Sequence, residues 1–206
     1  MDRIETIEQL EEIYGRFDDI AAASKDKEID YLTPSYRQMI EASSFVALAS
    51  VGARGVDCSP RGDKGQVVYC INSRQLHLPD RRGNNRIDTL RNLIEDPRLS
   101  LMFLIKGSGS VIRVIGRAII SVDPNLCEKY QYEGKLPRSV LVIDIERVFF
   151  QCARAIMRAE LWSEAQKETA KSLPTAGQML KEATSGQFDG DSYDRGWLER
   201  AEKTMW

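Results

Sequence analysis

The sequence predicts a mainly β domain: an antiparallel barrel of six or seven strands, with helices at its periphery and a helical C-terminal tail. Three observations lead there. Between Phe45 and Phe149, short β-branched and apolar runs recur with turn residues between them. Within that region only residues 85–94 and a short stretch after Asp123-Pro124 read as helix. A parallel sheet would need a helix after most strands. Beyond Gln151 the strand pattern stops and the chain turns helical or irregular.

Taken in order, residues 4–14 predict a helix with Ile4, Ile7, Leu10 and Tyr14 on one face. Thr33 predicts an N-cap and Pro34 the first position of a helix to about Ala42. Residues 45–51 form the first strand, 52–55 its turn and 56–59 a short partner. Residues 66–71 and 75–78 are the third and fourth strands, joined by Asn72-Ser73-Arg74. The next helix places Asn84 or Asn85 at its start and Ile87, Leu90 and Leu93 or Ile94 on one face, and Asp96-Pro97 ends it. Residues 99–105 are almost continuously apolar, which predicts a strand buried on both faces. A flexible loop over 106–110 leads to a long strand over 111–122, where Gly116 marks a bulge or a close backbone approach. Asp123-Pro124 caps a short helix to about Tyr130, and residues 141–149 are the last strand. In the tail, 175–183 and 193–204 predict short helices around a loop at 185–191. Trp197 and Trp206 predict that this tail covers a surface, its own or a partner's.

A chain of 206 residues admits one domain with a substantial core and terminal extensions. The expected division is a helical extension over 1–34, the barrel over 35–162 and the tail over 163–206, packed on the barrel or on a partner. A net charge of -2 argues against general binding to nucleic acid or to a membrane surface. No apolar run approaches the roughly 18–20 residues a bilayer span requires. The acidic, polar N-terminus is not a signal peptide, so a cytoplasmic location is expected. Cys58, Cys70, Cys127 and Cys152 form no C-x-x-C pair and are expected to be reduced and at least partly buried, with Cys58 and Cys152 as small core residues. With one histidine, His77, no metal site is expected. His77 alternates with Leu76 and Leu78, which predicts a structural or exposed residue on the opposite face of its strand.

The charge is not spread evenly. Between Arg54 and Arg117 twelve Arg and Lys face six Asp and Glu, a local surplus on a mildly acidic chain. That pattern points to a phosphate-bearing small ligand. Arg61, Arg81, Arg82 and Arg86 supply guanidinium forks that match phosphate oxygens. Asn84 or Asn85 at a helix start would add free backbone N–H groups, and Gly62 and Gly83 would let the backbone approach a ligand. No catalytic residue is assigned.

Read together, these segments become recognisable. Ser59-Pro60-Arg61-Gly62-Asp63, a strand, Leu78-Pro79-Asp80-Arg81-x-Gly83-Asn84-Asn85-Arg86, a helix, Asp96-Pro97, an apolar strand and Ile112-Arg113-Val114-x-Gly116-Arg117-Ala118 follow in that order. The order resembles the pyridoxamine 5'-phosphate oxidase-like family of FMN-binding split β-barrels, over about residues 35–162. The resemblance implies a Greek-key-type split barrel and a homodimer with FMN in grooves between the subunits. It implies that Ser59, Pro60 and Arg61 run beside the flavin, and that Pro79, Asp80 and Arg81 end the next flavin-lining strand. Asn84, Asn85 and Arg86 would receive the FMN phosphate. Arg154, Arg158 and Trp162 would reach the flavin edge or the other subunit. Two departures stand out. No histidine follows His77, so the C-terminal Arg-x-His substrate motif of the true oxidase is absent and vitamin B6 oxidation does not carry over. Val111 stands where many relatives have a Gln that contacts the flavin. The resulting expectation is an FMN-dependent oxidoreductase acting on an unknown small molecule. The alternatives are a flavin-binding carrier or sensor without turnover, and a split barrel that uses deazaflavin F420 or haem.

Overall fold

Period-two alternation builds the sheet. The computed structural model describes residues 3–205 and contains β1 (Phe45–Gly52), β2 (Gly55–Gly62), β3 (Tyr69–Cys70), β4 (Gln75–Pro79), β5 (Arg98–Leu104), β6 (Val111–Ser121) and β7 (Val140–Gln151). They form one antiparallel sheet in the order β2-β1-β5-β6-β7-β4-β3. The sheet is rolled but not closed, because β2 and β3 are edges with a partner on one side only. Its concave face holds the core, with Phe103, Leu48, Leu101, Ile112, Val114, Leu76, Leu141 and Ile143 fully buried. This is the mainly β split barrel that the sequence predicts.

Several boundaries differ, for physical reasons. β2 runs on to Gly62 because β1 pairs with it along its full length, Phe45 opposite Gly62. The expected strand over 66–71 shrinks to two residues. Val67 N–H instead donates to the Ser43 carbonyl, so that segment bends away from a ladder. β5 is not buried on both faces. It alternates, with Leu99, Leu101 and Phe103 inside and Met102 exposed, since among the described residues nothing covers its outer side. Gly116 does sit at a bulge, where the β6–β7 register shifts after Ile115. A Cβ there would lie 2.2 Å from the Asp144 carbonyl oxygen, so only glycine fits.

The helices are α1 (Ile7–Tyr14), α2 (Ala22–Lys25), α3 (Pro34–Glu41), α4 (Asp88–Glu95) and α5 (Pro124–Lys129). The tail adds α6 (Arg154–Arg158), α7 (Glu164–Ala170), α8 (Ala176–Ala183), α9 (Gly190–Arg195) and α10 (Trp197–Thr204). α1 starts at Ile7 because Thr6 is its cap, and its expected apolar face, from Ile4 to Tyr14, is exposed. Thr33 caps α3 by accepting from Tyr36 N–H, and Asp123 caps α5, as the sequence predicts. The chain joins the barrel before α3, where Ile29 bridges to Val148 and Leu32 enters the core. In the tail, α8 and α9 cross where Gly177 and Gly190 touch, and Asp194 accepts from Gly177 N–H and from the Thr175 hydroxyl. Trp206 lies outside the described residues. Among the described residues no helix is long and apolar enough to cross a membrane.

Two cysteine expectations need correction. Cys58 and Cys152 are exposed, because Cys58 points outward from the edge strand β2 and Cys152 follows the end of β7. Cys127 is buried and Cys70 half-buried, where burial pushes its thiol up to about 12. His77 is the structural residue expected, but it is buried. Its Nδ1 lies 2.8 Å from the Tyr130 hydroxyl, and the two rings meet edge to face.

Candidate functional site

The split of the barrel lies between the C-terminal half of β2 and the end of β4. Two crossed ion pairs join these elements. Arg61 Nη1 donates to Asp80 Oδ1 at 2.6 Å, and Arg81 Nε donates to Asp63 Oδ2 at 2.7 Å. Each element thus contributes one cation and one carboxylate, which holds the edges together without closing the ladder. Arg81 Nη1 also donates to the Tyr130 carbonyl at 2.6 Å, so the His77–Tyr130 contact braces this arginine from behind.

Beside these pairs opens a cleft of about 410 Å³, with Ser59, Arg61, Arg82, Gly83, Arg86 and Thr89 among its lining. β2 and α4 build its wall. Asp57, Ser59 and Arg61 are half-buried on one face of β2, while Val56, Cys58 and Pro60 are exposed on the other. Thr89 on α4 donates to Asp57 Oδ2 at 2.6 Å and lies 2.9 Å from the Ser59 hydroxyl. Thr89 has one hydroxyl proton, so Ser59 must donate to Thr89, which leaves both lone pairs of the Ser59 oxygen able to accept. α4 is itself fixed to the β1–β2 hairpin. Glu95 accepts from Ala53 N–H at 2.6 Å, and Asn92 donates to the buried Ser50 hydroxyl.

The expected helix-start anion site needs correction. α4 begins at Asp88, three residues after Asn85, and Ile87 precedes it without a side-chain cap. Asn84 accepts from Arg86 N–H in a local turn, and this turn excludes the helical conformation there. Asn85 is left-handed at φ 59 and accepts from Arg138 at 2.9 Å. The first-turn carboxylate, Asp88, takes both Arg86 and Arg54, whose hydrogen bonds hold its pKa below the ordinary value. The buried face of this helix carries Thr89, Asn92 and Leu93, while Ile87 and Ile94 are exposed.

The local basic surplus is therefore smaller in space than along the chain. Arg54, Arg61, Arg81, Arg86 and Arg98 are each ion-paired. Arg82 is exposed and makes no side-chain hydrogen bond or ion pair among the described residues. Arg61 carries a further signal: its Nε is buried with no hydrogen-bond partner among the described residues. An unsatisfied buried donor costs about 1–3 kcal/mol, so this side chain gains by turning to an added acceptor. A ligand phosphate at the cleft would meet one guanidinium with no partner among the described residues, a half-satisfied one and the ion-paired Arg86. The donor set fits a phosphate-bearing cofactor.

Of the residues singled out from the sequence, Ser59, Pro60, Arg61, Pro79, Arg81, Asn84 and Arg86 line this cleft. Asp80 and Asn85 line a smaller hollow on the other side of the same loop. Arg154, Arg158 and Trp162 line neither hollow within one chain. Trp162 instead donates to the Ser108 carbonyl at 2.8 Å, across the loop between β5 and β6. Asp57 and Thr89 escaped the sequence reading. Asp57 was legible as the period-two neighbour of Ser59, whereas the approach of Thr89 needed the packing of α4. Among the described residues no cluster of His, Cys, Asp or Glu has the makings of a metal site.

An open seven-stranded antiparallel sheet with a cleft at its split places the chain among the split β-barrel domains. The chain belongs to the pyridoxamine 5'-phosphate oxidase family, whose model matches residues 32–152. Curated proteins yield no match. Among solved structures, HupZ from Group A Streptococcus is 16% identical, with a TM-score of 0.49 over 59% of this chain and 94% of that one. A general stress protein 26-related protein of the pyridoxinephosphate oxidase family from Clostridium acetobutylicum is 14% identical, with a TM-score of 0.43 over 57% and 86%. PhzG from Burkholderia lata 383, in complex with tetrahydrophenazine-1-carboxylic acid, is 13% identical, with a TM-score of 0.40 over 55% and 71%. The family assignment rests on the model match.

Proposed function

We propose that this protein binds FMN in the cleft between β2 and α4 and works as an FMN-dependent oxidoreductase on a small molecule. The observation that carries the reading is the meeting, at one cleft, of an Arg82 with no partner among the described residues and an incompletely satisfied Arg61. Arg82, Arg86 and Arg61 would hold the phosphate. Ser59 would accept a hydrogen bond from the ring system. β2, an edge strand, would offer the unpaired backbone groups along its free side. Asn84 and Asn85 would contribute by shaping the loop that carries Arg86, and Pro79, Asp80 and Arg81 by fixing its root. Bound FMN would supply the redox chemistry, and the protein its position and electrostatics.

The family context extends the reading to a homodimer. The outer face of β1, β2 and β5 is built of small or apolar residues in register, Ala47 beside Pro60 and Met102, Ala49 beside Cys58 and Ser100. Val56 on this face is 88% exposed. A second copy would cover it, and Arg154, Arg158 and Trp162 would then serve the neighbouring subunit's cleft. On this reading the barrel over 35–162 is the cofactor domain, with 1–34 and 163–206 as extensions packed on it or on the partner.

Haem through an imidazole is a poorer fit, since His77 is buried against Tyr130. The test is direct. Purified protein should be yellow, with bands at about 370 and 450 nm, and anaerobic NADH or NADPH should bleach them. Colour without bleaching would leave a flavin-binding carrier or sensor. Failure to retain or take up FMN would overturn the reading.

A further inference from the structure

On the far side of Arg81 and Arg82 from the cofactor cleft lies a second pocket of about 360 Å³. It is formed where the loop before β7 meets the last helix. Arg81, Arg82, Lys135, Arg138 and Lys203 surround it, with Leu136 and Pro137 as its apolar part, and among the described residues no carboxylate lines it. Lys203 is paired to Glu199 along α10, and Arg138 donates to the neutral Asn85 amide. Arg82, Lys135 and Arg138 have no carboxylate partner among the described residues. Their charges therefore add instead of cancelling. Like charges gathered around one concavity raise its potential and destabilise the fold unless an anion enters.

We propose that this pocket binds the anionic end, carboxylate or phosphate, of the protein's small-molecule ligand. The substrate class is then an anionic small molecule with an apolar segment. The anionic end would sit against Lys135, Arg138 and Lys203, the apolar segment against Leu136 and Pro137, and the remainder would extend past Arg82 towards the cofactor cleft. Arg82 lines both pockets and couples them: it would meet cofactor phosphate on one side and substrate anion on the other. This rests on the cleft being the cofactor site, but the pocket itself is tested separately.

The test uses the full chain, with and without FMN, titrated by calorimetry with inorganic phosphate and with succinate. Both forms should show saturable binding of at least one probe. The double substitution Lys135→Gln, Lys203→Gln should weaken it about tenfold or more, while FMN affinity stays within about twofold. Lys171→Gln, on the exposed end of α7, should leave it unchanged. Equal losses in the Lys171 variant would mean diffuse charge and overturn the site, as would absence of saturable binding. A parallel loss of FMN affinity in the double variant would merge the two pockets and overturn a separate substrate end. If FMN fails to bind while phosphate still saturates the pocket, the cofactor reading falls and the anion site stands.

Discussion

Arg61 donates to Asp80 across the split of the barrel at 2.6 Å, yet leaves its Nε buried without a partner among the described residues. The pair ties the edge strand β2 to the end of β4 and at the same time leaves one donor unsatisfied. A side chain held in this way is stable enough to keep the cleft shaped, and gains when an acceptor arrives. The crossed pair Arg81–Asp63 beside it has no such vacancy at the Nε, which is bonded.

Removing the phosphate-facing cations should weaken FMN binding. Arg86→Ala is expected to cost about tenfold to hundredfold in affinity, the range for losing a charged hydrogen bond. Arg82→Ala should cost at least as much, because Arg82 has no partner among the described residues to give up on binding while Arg86 must leave Asp88. Riboflavin, which lacks the phosphate, should bind the wild type much more weakly than FMN and should not distinguish the variants. Fluorescence quenching titrations decide this, and equal affinities for FMN and riboflavin would refute a phosphate site.

The bulge at Gly116 should be intolerant of a side chain. Gly116→Ala places a Cβ 2.2 Å from the Asp144 carbonyl oxygen, and the strands β6 and β7 must part to admit it. A loss of about 1–3 kcal/mol is expected, as for other overpacked sites. Urea unfolding measures it; an unchanged midpoint would show that the bulge relaxes freely.

Stability should fall on mild acidification, and His77 should be part of the cause. Burial first, and the nearby Lys129 second, hold its pKa below the ordinary 6.5. The unfolded chain therefore binds this proton more readily than the folded one. Stability from this group is full above the unfolded pKa and is lost as pH falls below it. His77→Gln should flatten the pH dependence between about pH 7 and 5. Melting temperatures of both proteins across that range would show whether the slope follows His77.

Dimer formation should be readable at Cys58. This thiol sits on the outer face of β2 beside Ala49 and is exposed in the single chain. Cys152 is exposed too, and a backbone hydrogen bond from Arg154 lowers its pKa. Cys152 should then react fastest with a disulfide reagent, and Cys70 and Cys127 slowest. Cys58 should be slow in the dimer and fast on dilution to monomer, with light scattering reporting the mass. A holo protein that stays monomeric at micromolar concentration, with Cys58 always fast, would sink the shared site. The expected interface exceeds roughly 2,000 Å² in total.

Local chemistry made much of this protein legible before any coordinates. Thr33-Pro34 and Asp123-Pro124 start helices because a cap and a fixed φ act within three or four residues. The strands at Phe45, Val111 and Val140, the bulge at Gly116 and the segments that carry the family likeness are equally local. What the sequence left open depends on partners distant along the chain. The length of β2 was decided by β1, and the one-sided burial of β5 by the lack of any described residue covering Met102. The start of α4 shifted to Asp88 because Asn84 and Asn85 found other hydrogen bonds, one of them to Arg138. The net charge of the cleft changed most. A run of arginines counts as positive in sequence, but each carboxylate that the fold brings within ion-pair distance cancels one, and only the tertiary structure shows which remain.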